Sequence, residues 1–251
     1  MQRFLEGAAA PFHALGYLVK NPRLWQYVVI PIVVNLVVAT VVYVGLFGAG
    51  WVGIDRLVAD TRLGGVIEWL LRVVLGLLLL FAAGFCVVRF GVVLGSPWYG
   101  TLSEQIELGV TGAAPPAQPL TAAGIARDIW RALGFELKKL AISLAVGLVL
   151  LLLNLIPVAG QAINLVGAVL LGAFITCLDF FDGPLERRRL RFRTKMGVIR
   201  QHMPASLGFG LVGFGLVAIP FVNLLLIPLC VAAGTLFLCE QRGPELELRE
   251  Q

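Results

Sequence analysis

One uninterrupted apolar run constrains this chain more than any other feature. Leu24 to Ile54 contains no charged residue. As a helix it extends roughly 45 Å, whereas the hydrocarbon core of a bilayer is about 30 Å thick. A small water-soluble domain cannot easily bury a helix that is apolar on every side, whereas a bilayer solvates all of its faces. The run therefore predicts a transmembrane helix over 24–54 that tilts or protrudes.

The composition of the whole chain points the same way. Hydrophobic residues make up 59% of the sequence and charged residues 14%, whereas a soluble domain carries about 25% charged residues. A second run, Val66 to Gly95, is charged only near its ends and predicts a second transmembrane helix over 66–95. The sequence thus predicts an all-α integral membrane protein with one polytopic domain over 1–251.

Two later apolar blocks are each interrupted by a proline. The block 141–178 is broken at Pro157 and the block 207–239 at Pro220. The arms reach only about 20–27 Å as helices, which is short for a full crossing. We therefore expect two half-inserted helical hairpins. Irregular backbone at that depth must be buried in protein or face a water-filled space, so both prolines are candidate pathway-lining residues.

Asparagines recur near these prolines and in the first long helix, at Asn35, Asn164 and Asn223. Repeated, broken apolar segments often mark a transport site. Proline and asparagine are also ordinary turn residues, and asparagine in a membrane helix commonly hydrogen-bonds a neighbouring helix. Both interpretations remain open at this stage.

The remaining segments suit a membrane surface. They are an N-terminal surface segment 1–23, cytoplasmic helices with a linker over 96–140, a basic loop 179–206 and a tail 240–251. Ser96-Pro97 predicts a helix start, and Thr101 with Glu104 forms a capping-box pattern. Glu104 is alternatively a residue that lines the pathway. The spacing of apolar residues in 121–139 predicts an amphipathic surface helix.

Basic residues set the expected topology. Seven of the 20 Lys and Arg residues lie in 179–206, and the hairpin tips have none. The positive-inside rule then places both termini in the cytoplasm of a bacterial-type inner membrane. The densest cluster either anchors the protein on anionic lipid or concentrates an anionic solute. Its members are Arg187, Arg188, Arg189, Arg191, Arg193 and Lys195.

No enzymatic motif or metal-binding pattern accompanies these features. The two histidines, His13 and His202, are far apart, and the four cysteines lack the short spacing of a zinc or disulfide framework. We therefore expect no catalysis, no cofactor and no metal. The basic residues lie between membrane-length apolar runs, which disfavours a nucleic-acid partner.

Six stretches in order resemble one family, the CysZ sulfate permeases with the related etoposide-induced membrane domain. These stretches are Ile30–Asn35, Ser96–Glu104, Thr111–Pro116, Ile156–Gln161, Leu178–Asp182, and Gly208–Gly210 leading to Ile219–Asn223 and Pro228. The resemblance implies two long transmembrane helices, two half-inserted hairpins, a homo-oligomer, and uptake of sulfate for cysteine biosynthesis.

The chain departs from this family at one place. The resemblance associates sulfate binding with paired arginines at the start of the first long helix, and Trp25 and Gln26 stand there instead. Arg23 lies nearby and, with the helix N-terminus, offers a substitute for the pair. Losing charge-assisted hydrogen bonds weakens the binding of a dianion, so this difference bears on the anion that is bound and not on the fold.

The sequence therefore predicts an oligomeric permease or channel for sulfate or a similar small anion. Its expected binding residues are Arg23, Trp25, Gln26 and Asn35. The alternative is a non-transporting membrane scaffold or bilayer-remodelling protein whose basic loop binds anionic lipid.

Overall fold

The computed structural model describes residues 1–59, 65–113, 122–157, 159–219 and 222–242. In this part of the chain the secondary structure is entirely helical, without any strand, which confirms the all-α prediction. A short 3-10 helix, Pro22–Trp25, follows the first α-helix. The α-helices are α1 Gln2–Lys20, α2 Gln26–Ala59, α3 Gly65–Thr111, α4 Ala122–Leu153, α5 Ala159–Arg187, α6 Phe192–Gln201, α7 Ala205–Val217 and α8 Asn223–Arg242.

One end of the molecule, which we call the base, holds most of the buried residues. It comprises α1, α6, and residues 99–111, 173–187, 205–213 and 227–242 of the longer helices. Three aromatic rings meet at its centre: the Phe181 ring lies 4.9 Å from that of Phe209 and 5.3 Å from that of Phe237, centroid to centroid. These rings join α5, α7 and α8 into one core.

Helices α1 and α7 cross closely in the base because two glycines allow it. A Cβ atom on Gly7 would lie 1.9 Å from the Ala205 carbonyl oxygen, and one on Gly208 would lie 2.1 Å from the Phe4 carbonyl oxygen. Both neighbours are backbone atoms and cannot rotate away. Any larger residue at either position would force the two helices apart.

The other part of the molecule, which we call the arms, exposes apolar side chains. The arms comprise residues 29–52, 66–81, 140–157, 159–170, 215–219 and 222–226. Leu36 and Leu78 are each 62% exposed, and Leu165 is 68% exposed. An apolar surface of this extent is stable in lipid rather than in water.

Three helices in the described part are long and apolar enough to cross a membrane. They are Pro22–Gly53, Ala159–Arg187 and Asn223–Gln241. Only 18% of the most apolar stretch of the first is buried, against 67% for the last. The first helix therefore offers its surface to lipid, whereas α8 lies largely inside the bundle. The predicted segment 66–95 lies within α3, and its side chains from 82 to 94 lie outside the described residues.

Two sequence predictions about helix boundaries are wrong. α3 runs through Ser96-Pro97 without a break, because Leu102 and Ile106 are fully buried in the base and hold the helix there. Thr101 is consequently inside the helix, where its hydroxyl donates to the Pro97 carbonyl at 3.0 Å, so it does not cap a new helix. The surface helix predicted to end near Lys139 also continues without a break, as α4, to Leu153.

The turn predicted at Pro157 separates α4 from α5. Residues 154–157 form this turn, and α5 then extends to Arg187, nine residues beyond the predicted end of the apolar arm at Leu178. The described helix α7 ends at Val217 and α8 begins at Asn223. Pro220, the other predicted turn residue, lies outside the described residues.

Candidate functional site

The junction between α1 and α2 is built from side chains that cap the end of α1. The Asn21 amide donates to the Tyr17 carbonyl at 2.9 Å, and the Trp25 indole N–H donates to the Leu18 carbonyl at 3.1 Å. The last carbonyls of a helix lack intrahelical donors, so both bonds satisfy groups that would otherwise need water. They hold the start of α2 in a fixed position relative to α1.

This junction contains three of the four predicted binding residues, Arg23, Trp25 and Gln26. Arg23 and Gln26 are both exposed beside the first turn of α2. Trp25 is half-buried, and its single donor is already used by Leu18. Asn35 is 2% exposed and lies nine residues along α2 from Gln26, which is roughly 14 Å. The structure therefore separates Asn35 from the exposed pair.

The backbone at the same junction offers fewer free donors than the start of an isolated helix. The Leu24 N–H donates to the Asn21 carbonyl at 3.0 Å, and the Gln26 N–H is bonded to the Leu24 carbonyl. The 3-10 helix thus uses backbone N–H groups that the sequence analysis expected to bind an anion. Arg23 has neither a hydrogen bond nor an ion pair among the described residues, so its guanidinium is available to a ligand.

A groove of about 490 Å³ lies between α4, α5 and α7. Its polar lining consists of Ser143, Asn164, Thr176 and Asp179. Asn164, predicted to line the pathway, thus faces a space large enough for small solutes. The Asp179 carboxylate, which lines the groove, accepts a hydrogen bond from the Lys139 ammonium at 2.5 Å.

Lys139 is protonated in this position. Burial lowers the pKa of its ammonium, but the charge of Asp179 and hydrogen bonds to Asp179 and Glu136 outweigh burial and raise that pKa above its usual value. The Glu136 bond, within α4, measures 2.9 Å. The groove-lining Asp179 is therefore paired with a cation that also binds Glu136.

Three of the six basic residues in the segment 187–195, namely Arg187, Arg188 and Lys195, form ion pairs with described carboxylates. Lys195 is 2% exposed, and its ammonium pairs with the carboxylates of Asp182 and Glu186. Glu186 also accepts from the Arg131 guanidinium of α4 at 2.9 Å. This cluster joins α4, α5 and α6. The charge of Lys195, which the sequence assigned to lipid or to an anion, is therefore used to hold these helices together.

Arg187 and Arg188 meet a carboxylate that the sequence analysis missed. Glu107 of α3 is 2% exposed, and its two oxygens lie 2.7 Å from Arg187 Nη2 and 2.6 Å from Arg188 Nη1. Glu104, the predicted residue, is exposed. The spacing of Tyr99, Leu102, Ser103 and Ile106 indicates which face of α3 is buried, and Glu107 falls on that face.

The remaining predicted residues lie apart from these clusters. Arg191 and Arg193 are exposed, and Arg189, with φ 51°, is half-exposed where the chain leaves α5. Pro157 is exposed at its turn. Asn223 is 3% exposed at the start of α8, and its Oδ1 accepts no hydrogen bond within the described ranges.

A second groove, of about 590 Å³, lies between α2 and α3. Tyr43, Phe47 and Trp51 stack along α2, and the Arg72 guanidinium lies 4.1 Å from the Trp51 ring centroid while pairing with Asp55 at 2.5 Å. The spacing of the aromatic residues by four is the sequence signal that marks this face. Aromatic rings beside an arginine are typical of the boundary between lipid and water.

Comparison with known proteins gives one family for nearly the whole chain. The family described as sulfate transporter CysZ/etoposide-induced protein 2.4 matches residues 10–228. Proteins named sulfate transporter CysZ are among those similar to the chain. The one from Salmonella typhimurium is 30% identical over 228 residues, covering 87% of this chain and 86% of that protein.

Two further relatives carry the same name. The Pseudomonas paraeruginosa protein is 30% identical over 243 residues, covering 92% of this chain and 94% of its own length. The Pectobacterium atrosepticum protein is 28% identical over 229 residues, with 89% and 81% covered.

Proposed function

The chain belongs to the sulfate transporter CysZ/etoposide-induced protein 2.4 family, and we propose that it is a membrane permease that carries sulfate into the cell. The observation that carries the proposal is the match to this family over residues 10–228. The chain aligns with almost the whole length of relatives that are named as transporters. Those names are consistent with a role other than catalysis. Exposed apolar arms support a location in the membrane.

Sulfate binds first at Arg23 and Gln26 in this proposal. Arg23 provides a charge without a competing partner among the described residues, and the fixed junction with α1 presents it beside Gln26. The ring of Trp25 contacts the bound sulfate from one side. Asn35 contacts the anion at a later point, further along α2. A guanidinium suits sulfate because its planar donors match the spacing of two oxyanion oxygens.

The path then follows the groove between the two hairpins. Asn164 lines that groove, and Pro157, Pro220 and Asn223 shape the ends of the hairpins. Exposed Glu104 is a further residue along the path in this proposal. The exposed Arg191 and Arg193 raise the local anion concentration or hold anionic lipid, together with Arg189. Lys195 contributes less to that field, since Asp182 and Glu186 already compensate it. Arg187 and Arg188 together contribute one net positive charge, because they share the single carboxylate of Glu107.

The membrane arrangement belongs to the same proposal. Both termini lie in the cytoplasm of a bacterial-type inner membrane, and the protein is a homo-oligomer whose copies meet along their arms. The α4–α5 and α7–α8 hairpins insert halfway in this proposal. The length of α7 supports it, since 13 residues span about 20 Å, whereas α5 and α8 are long enough for a full crossing. Single cysteines at Ala159 and Val222, in a background without the native cysteines, test this. Strong labelling of both from the periplasmic side would contradict half-insertion.

The direct test of function is uptake of radiolabelled sulfate into proteoliposomes that contain the purified protein. We expect saturable uptake above that of empty liposomes. Arg23→Ala should reduce uptake roughly tenfold or more, because a hydrogen bond to a charged group contributes about 1.5–3 kcal/mol. Lys20→Ala is the matched control, since Lys20 is an exposed cation at the end of α1, and it should retain uptake.

The outcomes separate the function from the site. Absence of uptake by folded, inserted wild-type protein would contradict the permease proposal and favour the membrane scaffold. Uptake that is equal in Arg23→Ala and the wild type would leave the permease in place and remove Arg23 from its binding site.

A further inference from the structure

The buried carboxylate of Glu107 is enclosed by two arginines that are already oriented by other groups. Arg187 donates to Glu107 Oε2 from Nη2 at 2.7 Å and from Nε at 3.2 Å. Arg188 approaches the other oxygen, Oε1, from Nη1 at 2.6 Å. Two guanidinium charges thus share one carboxylate charge, which leaves an excess of one positive charge in this cluster.

Arg187 is held by a chain of hydroxyl groups that does not include Glu107. The Thr235 hydroxyl donates its only proton to the Val231 carbonyl at 2.8 Å. Thr235 must therefore accept from the Ser103 hydroxyl, 2.8 Å away, and Ser103 in turn accepts from Arg187 Nη2 at 2.9 Å. The direction of every bond in this chain is fixed, so α3 and α8 position the Arg187 guanidinium.

Arg188 has an anchor of its own. Its Nη1 donates to the Pro184 carbonyl one turn earlier in α5, at 3.1 Å. Besides Glu107, Arg187 therefore has two partners, Ser103 and the Gly100 carbonyl at 3.4 Å, and Arg188 has one. Both arginines keep these partners when the carboxylate is replaced. Binding groups that are oriented before the ligand arrives lose less entropy on binding.

The side chains of Arg187 and Arg188 are 20% and 17% exposed, whereas that of Glu107 is 2% exposed. A solute can thus approach the two arginines from the surface of the base, while the carboxylate lies behind them. The arginines are also 80 or more residues from Glu107 in sequence, so the cluster exists only in the folded protein.

We propose that Arg187 and Arg188 form a second site for sulfate, and that the Glu107 carboxylate occupies it when sulfate is absent. This inference rests on the proposed function for the identity of the anion. Sulfate carries two negative charges and matches the two guanidinium groups, whereas Glu107 supplies one. Exchange between the carboxylate and sulfate would let the site accept the anion and then release it.

The test is sulfate affinity in the full-length protein, purified in detergent without added phospholipid, so that phosphate headgroups do not compete. All variants carry Arg23→Ala, which removes the first site. Glu107→Gln keeps the shape of the side chain and removes its charge. We expect it to bind radiolabelled sulfate at least tenfold more tightly than the parent.

Glu186→Gln is the matched control because it makes the same charge change in the neighbouring cluster around Lys195 and Arg131. Its sulfate affinity should stay within twofold of the parent. An unchanged or weaker affinity in Glu107→Gln, or an equal gain in Glu186→Gln, would overturn the proposal.

Arg188→Lys keeps the proposal testable if Glu107→Gln does not fold. Lysine retains the charge but loses the planar fork, so the dissociation constant for sulfate should rise at least fivefold. A lower unfolding temperature with unchanged sulfate affinity would show that the cluster is only structural. If the cluster is only structural and the wild type still takes up sulfate, the second site is disproved but the proposed transport function is not.

Discussion

The base and the arms bury their apolar residues against different surroundings. In the base, Phe181 and Phe209 are fully buried and pack against each other. In the arms, Leu36 and Leu165 are more than 60% exposed within the chain. Burying a leucine side chain contributes about 1.5–3 kcal/mol, so the base is stabilised by the protein itself. The arms depend on lipid or on a second copy for the same contribution.

The polar groups of the two regions differ in the same way. The base encloses Glu107, Lys195, Ser103 and Thr235, each no more than 2% exposed and each with a partner. Buried charges need such partners, because an isolated ion loses its hydration without compensation. The arms have few charges to pair. The base therefore specifies one arrangement through its pairs, whereas the arms are free to adapt to the membrane.

The largest expected effect comes from the crossing of α1 and α7. Gly208→Val places its Cβ only 2.1 Å from the Phe4 carbonyl oxygen. Overpacking a core costs about 1–3 kcal/mol and sometimes more, and here the obstacle is backbone. We expect most of the protein to be lost from the monodisperse peak in size-exclusion chromatography.

Gly215→Val on the same helix is its control, because no atom lies within 4 Å of the added Cβ. This variant should elute like the wild type. If both variants elute normally, the close crossing does not hold the base together. If Gly215→Val alone changes the oligomeric state, that part of the arm contacts a second copy.

A smaller effect is expected from Lys195→Met, which removes a buried charge and keeps most of the side-chain volume. Asp182 and Glu186 then lose their shared cation, and α6 loses its ionic link to α5. Breaking such a pair costs about 3–5 kcal/mol when fully buried. Both carboxylates are about a third exposed here, so we expect about 3 kcal/mol in thermal or denaturant unfolding.

Arg193→Met, on the same helix, gives the comparison. Arg193 is exposed, so its replacement should change the free energy of unfolding by no more than about 0.5 kcal/mol. Equal stability losses in the two variants would mean that the Lys195 pairs add nothing to the base.

The smallest effect is expected from Thr235→Val in the hydroxyl chain. Valine has nearly the same shape but accepts no hydrogen bond from Ser103. The lost bond should reduce the free energy of unfolding by about 1 kcal/mol. Thr40→Val in the arm removes a hydroxyl that is exposed and bonded within α2, and its effect should be within about 0.5 kcal/mol. A larger loss at Thr40 than at Thr235 would contradict the distinction between the two regions.

Helix content and lipid exposure follow from local sequence, which is why they could be predicted. The uncharged run from Leu24 gives α2, and the interruption before Pro157 gives the turn between α4 and α5. Boundaries were less predictable where packing overrides a local signal. Pro97 normally marks a helix start, yet burial of Leu102 and Ile106 keeps α3 continuous.

The site residues also differ in whether their surroundings depend on local sequence or on packing. Arg23 and Gln26 stand exposed beside the start of α2, and their role in binding stays a prediction. Asn164 faces the groove. The shared partner of Arg187 and Arg188 was not predictable, because Glu107 meets Arg187 across 80 residues of sequence.

The sequence by itself determined that this protein is helical and that a bilayer is its surroundings, since hydropathy and helix length are properties of single segments. The tertiary structure alone decided which charges are paired and which remain open to an anion. An ion pair needs two groups within about 4 Å, and only the packing of α3, α5, α6 and α8 in the base brings those groups together. Arg23 remains available because no described helix places a carboxylate beside it.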